Sequence, residues 1–239
     1  MCTTKIPVLA LTVIVLLAGC GQSQGDSPSE ISPEVSTSTA QGAVLSAIPD
    51  ILDPSADYLI YLHGAIIEEQ GMQPTHPQWG TYHYAEILQG FADRGFTVIS
   101  EARPAGTRPD VYADHVIAQV RSLLDGGIPE KHVTVVGFSK GGVIALLASR
   151  VVGRDQVNWI IQAGCGPWIE RLPDFIPRGH ILSQLDQADD VAQSCSSLFS
   201  RMPEGSITRE DTLELGSGHG AFYSINPEWF EGAVEWAGK

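Results

Sequence analysis

The chain has 239 residues, of which 43% are apolar and 18% charged, and this composition suits one globular domain with a single core. Its 28 acidic and 14 basic residues give a formal charge of −14, which argues against nucleic acid or an anionic lipid surface as a partner. No internal repeat is visible, so a solenoid is excluded as well.

The first twenty residues have the pattern of a secretory signal. Lys5 supplies a positive charge, residues 6–18 form an apolar run, and small residues precede Cys20. An apolar run of this length is too short to cross about 30 Å of hydrocarbon as a helix. The string LAGC at residues 17–20 resembles the bacterial lipobox, which implies that residues 1–19 are removed and that Cys20 is lipidated.

The next segment, up to residue 42, is rich in Ser, Thr, Gly, Pro and Gln and has almost nothing to bury. It predicts a disordered tether over residues 20–42 that precedes a folded domain over residues 43–239. The lipobox then implies a bacterial cell-envelope protein that is held by its lipid anchor and faces the periplasm or the exterior. The residue directly after Cys20 is Gly21 and not Asp. The resemblance therefore implies sorting to the outer membrane if the host is Gram-negative.

Within the domain, apolar strand patterns alternate with helical patterns. Strands are predicted over residues 58–62, 96–100, 132–136, 157–162, 180–185 and 211–215, and helices over residues 84–94, 111–124, 142–150, 191–199 and 227–237. This alternation predicts an α/β fold whose mostly parallel sheet carries helices on both faces. Ligands on such sheets bind at the carboxyl ends of the strands.

The string GFSKG at residues 137–141 stands between a predicted strand and a predicted helix. By chance G-x-S-x-G would occur about 0.2 times in a chain of this composition, so the string alone is a weak signal. Its context is what makes it informative, because a Ser at a sharp strand-to-helix turn exposes its hydroxyl at the edge of the sheet. The alternative is a Gly-rich turn whose Ser139 merely caps a helix.

His63-Gly64, the elbow around Ser139, then Asp189 and then His219 follow the chain order of the α/β-hydrolases, and the domain resembles that family from about residue 55 onward. The resemblance implies a compact α/β-hydrolase fold in which Ser139 is the nucleophile and His219 the base. It implies no metal or organic cofactor. No large cap domain is expected, because the gap between residues 163 and 180 is short.

The acid of the triad is less sharply defined by the sequence. The family's usual spacing after the strand at residues 180–185 falls on Asp189, which would orient the imidazole. Asp186 and Asp190 are alternatives close by, and Glu170 is a weaker one.

An oxyanion hole needs two backbone N–H groups, which the resemblance assigns to Lys140 and Ala65. His63 and Gly64 would support the loop that carries Ala65; alternatively they only end a strand. Residues 65–84 are predicted to form a long loop with aromatic side chains that either line the substrate pocket or pack the loop down.

Two cysteines, Cys165 and Cys195, follow strands that should be neighbours in the sheet. A disulfide between them is predicted for an oxidising compartment, and two buried thiols are the alternative. No metal site is predicted, since His76 and His83 have no further ligands at usable spacing.

The sequence therefore predicts a serine hydrolase that cleaves small carboxylic esters through an acyl-enzyme intermediate. One alternative is a binding lipoprotein that keeps the fold without catalysis. The other is a cofactor-free enzyme of the haloperoxidase or lyase type on the same fold.

Overall fold

The computed structural model describes residues 42–238. The predicted signal, Cys20 and the tether up to residue 41 lie outside the described residues. The strands are β1 (Ala43–Leu45), β2 (Tyr58–Leu62), β3 (Thr75–His76), β4 (Gly80–Thr81), β5 (Thr97–Ile99), β6 (Val133–Phe138), β7 (Asn158–Gln162), β8 (His180–Asp186) and β9 (Thr208–Leu213). The α-helices are α1 (Ala65–Gln70), α2 (Tyr84–Asp93), α3 (Pro109–Asp125), α4 (Lys140–Val152), α5 (Ser196–Phe199) and α6 (Pro227–Ala237).

Seven of the strands form one sheet in the order β1-β5-β2-β6-β7-β8-β9, and every neighbouring pair is parallel. The two remaining strands, β3 and β4, form a small antiparallel hairpin. The predicted class, an α/β fold with a mostly parallel sheet, is confirmed. Because all seven strands run in the same direction, their carboxyl ends share one edge of the sheet.

Alternate residues of each strand enter two separate cores. Tyr58 and Ile60 of β2 pack with α3 and α4 on one face of the sheet. Leu59 and Tyr61 pack with α2 and α6 on the other. Helices therefore cover both faces, as predicted, and the inner strand β2 is apolar at every position because neither of its faces meets water.

No large cap covers the carboxyl edge in the described part of the chain. The segment between β7 and β8 holds only a short 3-10 helix, Ile169–Arg171. Among the helices of residues 42–238, none combines the length and the apolar character that crossing a membrane would require.

Most predicted elements recur with ends shifted by one to three residues, and β2 and α6 match the prediction to the residue. The prediction of an unbroken loop over residues 65–84 is wrong, because α1 and the β3–β4 hairpin lie within it. The predicted helix over residues 191–199 is also too long, since only α5 is helical. The N–H of Gln193 donates to the carbonyl of Cys165 at 3.0 Å instead of to the carbonyl four residues before it, so the chain is not helical there.

Candidate active site

The turn between β6 and α4 holds Ser139 in a conformation that few non-glycine residues adopt. Its φ is 53° and its ψ −117°, and its N–H donates to the carbonyl of Gln162 on β7 at 2.8 Å. A Cβ on Gly141 would lie 2.0 Å from the carbonyl oxygen of Leu62, and one on Gly137 would lie 2.3 Å from the Gly141 oxygen. The two glycines of the motif are thus required by backbone packing, and the turn has the geometry of a nucleophile elbow.

Three residues predicted as a triad form a continuous hydrogen-bonded chain. The Ser139 hydroxyl lies 2.8 Å from Nε2 of His219, and Nδ1 of His219 lies 2.9 Å from Oδ2 of Asp189. A neutral imidazole with its proton on Nδ1 satisfies both contacts, because it donates to the carboxylate and accepts from the hydroxyl. His219 belongs to the 3-10 helix Gly218–Phe222 and is 5% exposed.

The Asp189 carboxylate is held by the backbone as well as by the imidazole. Its Oδ1 accepts from the N–H groups of Val191 at 2.8 Å and Ala192 at 2.9 Å. Burial acts to raise the pKa of this carboxyl, but the hydrogen bonds from His219 and from the backbone outweigh burial and lower the pKa below its ordinary value. Asp189 is therefore a carboxylate at neutral pH, which is the form that stabilises a protonated imidazole.

The alternative acids have other roles or none at the site. Asp186 is buried, and its carboxylate accepts from the N–H of Ala188 at 2.8 Å and of Ser217 at 3.2 Å. It thereby joins the loop that carries Asp189 to the loop that carries His219. Asp190 is exposed. Glu170 pairs with Arg201 on the surface.

Ala65 and Lys140 are the first residues of α1 and α4, so their N–H groups have no acceptor within their own helices. Both helix starts lie beside the serine, since Lys140 follows Ser139 directly and a Cβ built on Gly64 would lie 3.7 Å from that of Ser139. The positive ends of two helix dipoles therefore meet where the carbonyl oxygen of a substrate would develop negative charge.

His63 is fully buried and supports the turn into α1. Its Nδ1 donates to the carbonyl of Gly64 at 2.8 Å, and its Nε2 accepts from the N–H of Arg103 at 2.9 Å. Because one nitrogen accepts, the ring is neutral. Burial, followed by the charge of Arg103, lowers the pKa of His63 from its ordinary 6.5 to about 4.

A buried charge network behind this turn was missed by the sequence reasoning. Glu68 accepts from Nε of Arg103 at 2.8 Å and from the ammonium of Lys140 at 2.6 Å. The guanidinium of Arg103 also donates to the backbone carbonyl of His63. Glu68 thus connects α1 with the start of α4, the two elements that carry the candidate oxyanion donors. A Glu in AIIEEQ has no sequence signal that distinguishes it from its exposed neighbour Glu69.

A cavity of about 230 Å³ opens over Ser139 and His219. Two roles are predicted for the aromatic side chains of segment 65–84, lining the pocket and packing the segment down, and the structure shows both. Trp79 and His76 line this cavity, and their rings stack with centroids 3.9 Å apart. Tyr82 and Tyr84 are instead buried in the core.

The structure joins Cys165 and Cys195 in a disulfide, with their Cα atoms 5.4 Å apart. The bond links the segment after β7 to the segment after β8, just beyond Asp189. Within residues 42–238, no three His, Cys, Asp or Glu side chains converge as metal ligands would.

No family model matches the sequence, and no curated protein sequence matches it either. Solved structures do share the fold. ATU1826 from Agrobacterium tumefaciens, a protein of unknown function classed with the α/β hydrolases, is 20% identical with a TM-score of 0.53, covering 76% of this chain and 84% of its own. Esterase PE8 is 18% identical with a TM-score of 0.52, covering 75% of this chain and 91% of its own.

A third structure is Est1E from Butyrivibrio proteoclasticus, solved with ferulic acid bound. It is 12% identical with a TM-score of 0.52, and the match covers 80% of this chain and 90% of that one. Likeness at these identities concerns the fold alone. The described chain has the α/β-hydrolase fold, without a large cap.

Proposed function

We propose that the protein is a serine hydrolase that cleaves small carboxylic esters through an acyl-enzyme intermediate. The observation that carries the proposal is the unbroken chain of hydrogen bonds from Ser139 through His219 to Asp189, at 2.8 and 2.9 Å. A hydroxyl becomes a useful nucleophile when an adjacent base takes its proton and a third group orients that base.

In the proposed reaction, the Ser139 oxygen attacks the ester carbonyl while Nε2 of His219 takes the hydroxyl proton. The carbonyl oxygen becomes an oxyanion that accepts from the N–H groups of Ala65 and Lys140. The intermediate collapses, the alcohol leaves with the proton from His219, and the acyl group stays on Ser139. Water then attacks the acyl group and gives its proton to His219, which passes that proton to the Ser139 oxygen as the acid leaves, so the neutral serine and histidine are restored.

The size of the cavity supports a small substrate. About 230 Å³ is below the roughly 300–1,000 Å³ that is typical of pockets for drug-sized ligands. No large cap covers the site, so we propose short acyl groups and alcohols whose far end reaches solvent.

The test combines labelling and turnover on the purified protein. A fluorophosphonate should form an adduct on Ser139, and Ser139→Ala should lose the adduct and at least about 10³-fold in turnover of 4-nitrophenyl acetate. Absence of any adduct in the folded protein would favour a binding protein without catalysis. Ester hydrolysis that survives Ser139→Ala would contradict the mechanism.

We further propose that the protein acts at the bacterial cell envelope, held by a lipid on Cys20. The sequence pattern before Cys20 supports this, because a short apolar run and small residues precede it. Cys20→Ala should move the protein from the membrane fraction to the soluble fraction. An unchanged membrane fraction would refute the anchor.

A further inference from the structure

Lys140, the residue directly after Ser139, carries a positive charge at a helix start that disfavours one. It is the first residue of α4, and the dipole of a helix favours cations in its last turn rather than in its first. Its ammonium turns back toward α1 and lies 2.6 Å from Oε2 of Glu68, and its side chain is 20% exposed. Lys140 is therefore held by an ion pair in a place that helix stability alone does not favour.

The buried cluster around Glu68 holds more positive than negative charge. Arg103 and Lys140 both lie within ion-pair distance of Glu68, at 2.8 and 2.6 Å. His63, which contacts Arg103, is neutral because its Nε2 accepts the N–H of that residue. Two cations thus share one carboxylate, and the Arg103 and Glu68 side chains are 0% and 2% exposed. The cluster keeps one net positive charge, which water reaches from the Lys140 end.

Two other carboxylates lie near Ser139, and neither cancels this excess. Asp189 bonds to His219 and to two backbone N–H groups, so its charge serves the imidazole. Glu69 lines the cavity but is exposed, so water and salt screen its charge. The positive excess behind the candidate oxyanion donors therefore remains.

The excess charge lies beside the turn that carries Ala65. Glu68, to which both cations are bound, follows Ala65 by three residues in α1, which is less than one helical turn. The field of the cluster acts on His63, two residues before Ala65. Burial is the main cause of the lowered pKa of His63, the charges of Arg103 and Lys140 lower it further, and Glu68 offsets only part of their effect. Positive potential thus reaches the backbone that would hold the carbonyl oxygen of a substrate.

We propose that Lys140 acts twice in the reaction: its N–H is a candidate oxyanion donor, and its ammonium supplies the positive charge that stabilises the same oxyanion. The inference rests on the proposed hydrolase function. Attack by Ser139 would place a negative charge next to the cluster, and that charge is gone again when the intermediate collapses. Because the ammonium is bound to Glu68 and acts through its field without touching the ester, it would stabilise the transition state without strengthening substrate binding.

The experiment removes the charge of Lys140 and keeps its N–H. Lys140→Met leaves Glu68 paired with Arg103, so the urea midpoint should stay near that of the wild type. Lys140→Gln also lacks the charge, but its amide N–H can still donate to Glu68. With 4-nitrophenyl acetate, both variants should lose about tenfold in kcat with KM unchanged, because acylation and deacylation each pass through an oxyanion. Lys140→Arg should restore kcat, since it returns the charge.

An inhibitor that carries the oxyanion gives a second measurement. Trifluoroacetone adds to the serine oxygen as a hemiketal, whose own oxygen bears the negative charge while His219 keeps the serine proton. Its inhibition constant should rise about tenfold in Lys140→Met and in Lys140→Gln. This effect is smaller than the roughly 10²- to 10³-fold cost of removing an oxyanion donor itself, because the ammonium acts from a distance.

The matched control is Lys131→Gln, which removes the same charge from an exposed lysine just before β6, at the opposite end of that strand from the elbow. It should leave kcat and the inhibition constant at their wild-type values. A wild-type kcat in Lys140→Gln, a rise of KM in place of the fall of kcat, or a loss that Lys140→Arg does not restore would overturn the inference. The hydrolase function would still stand if a fluorophosphonate labels Ser139. Absence of both turnover and adduct in the wild type would overturn the function and the inference together.

Discussion

Replacing Glu68 by Gln tests how the buried network supports the fold. The substitution keeps the shape of the side chain and one acceptor oxygen, but it removes the negative charge between Arg103 and Lys140. The Arg103 side chain is 0% exposed and the Glu68 side chain 2% exposed, so water cannot replace the lost charge. The Lys140 side chain is 20% exposed and can turn its ammonium toward solvent.

The expected cost follows from this difference in burial. Breaking a buried ion pair by removing one partner costs about 3–5 kcal/mol, because the other charge is left uncompensated. Only Arg103 bears that full penalty, so we expect Glu68→Gln to lower the free energy of unfolding by about 3 kcal/mol. With an m-value of about 2 kcal/mol/M in urea, the midpoint would fall by about 1.5 M.

Urea unfolding followed by tryptophan fluorescence measures this change, and the chain has five tryptophans. The matched control is Glu231→Gln, which breaks an ion pair with Arg94. The Glu231 side chain is 54% exposed and the Arg94 side chain 41% exposed. That control should leave the midpoint nearly unchanged, because water replaces the partner of an exposed charge. Adding Arg103→Met to Glu68→Gln should recover about 2 kcal/mol, since the stranded charge is then gone. Equal midpoints for Glu68→Gln and Glu231→Gln would refute the reasoning.

Three further predictions concern the site and its supports. Asp189→Asn should lower kcat by about 10³- to 10⁴-fold while Asp190→Asn leaves it unchanged, and similar losses in the two would contradict the triad. His63 has a folded pKa of about 4 and an ordinary pKa of 6.5, so its stabilising effect is complete above pH 6.5 and is lost as the pH falls toward 4. Urea unfolding of the wild type should therefore show that the free energy of unfolding falls by about 2 kcal/mol between pH 7.5 and pH 5. The His63→Asn variant should not show this fall, and equal falls in the two proteins would disprove the role of His63. Gly141→Ala should lower the free energy of unfolding in urea by about 3 kcal/mol, because its Cβ would lie 2.0 Å from a backbone oxygen of β2. The control Gly166→Ala should leave the free energy of unfolding unchanged, because its Cβ would lie 3.7 Å from a tryptophan ring. A Gly141→Ala variant as stable as the wild type would count against the tight turn.

The sequence was informative wherever a local rule determines the structure. β2 is apolar at every position because both faces of a parallel sheet are covered, and its predicted ends were right. The α6 helix begins with Asn226 as its N-cap and Pro227 in its first turn, two signals that can be read directly. The elbow was readable for the same reason, since its glycines and serine are neighbours in the chain.

The sequence was uninformative wherever contacts with residues distant in the chain determine the local structure. Residues 191–199 are predicted to be helical, but the N–H of Gln193 donates to the carbonyl of Cys165, and a bond to so distant a residue cannot be recognised from local propensity. Glu68 and Glu69 are adjacent and chemically identical in the sequence. One is buried between two cations and the other faces the cavity, and only the packing of α1 against the sheet separates them.

The candidate site consists of segments that arrive from distant parts of the chain, and a separate tie fixes each one. The disulfide between Cys165 and Cys195 anchors the segment that carries Asp189. The Asp186 carboxylate joins that segment to the loop of His219. The Glu68 network joins α1 to the start of α4.

All of these ties are polar or covalent, although apolar packing of similar volume would often be as stabilising as a buried ion pair. What directional bonds add is position, and an error of about 1 Å between reacting groups can cost about 10²-fold in rate. The placement of such ties at every segment that carries a candidate triad or oxyanion residue is therefore best explained by a requirement for precise geometry at Ser139.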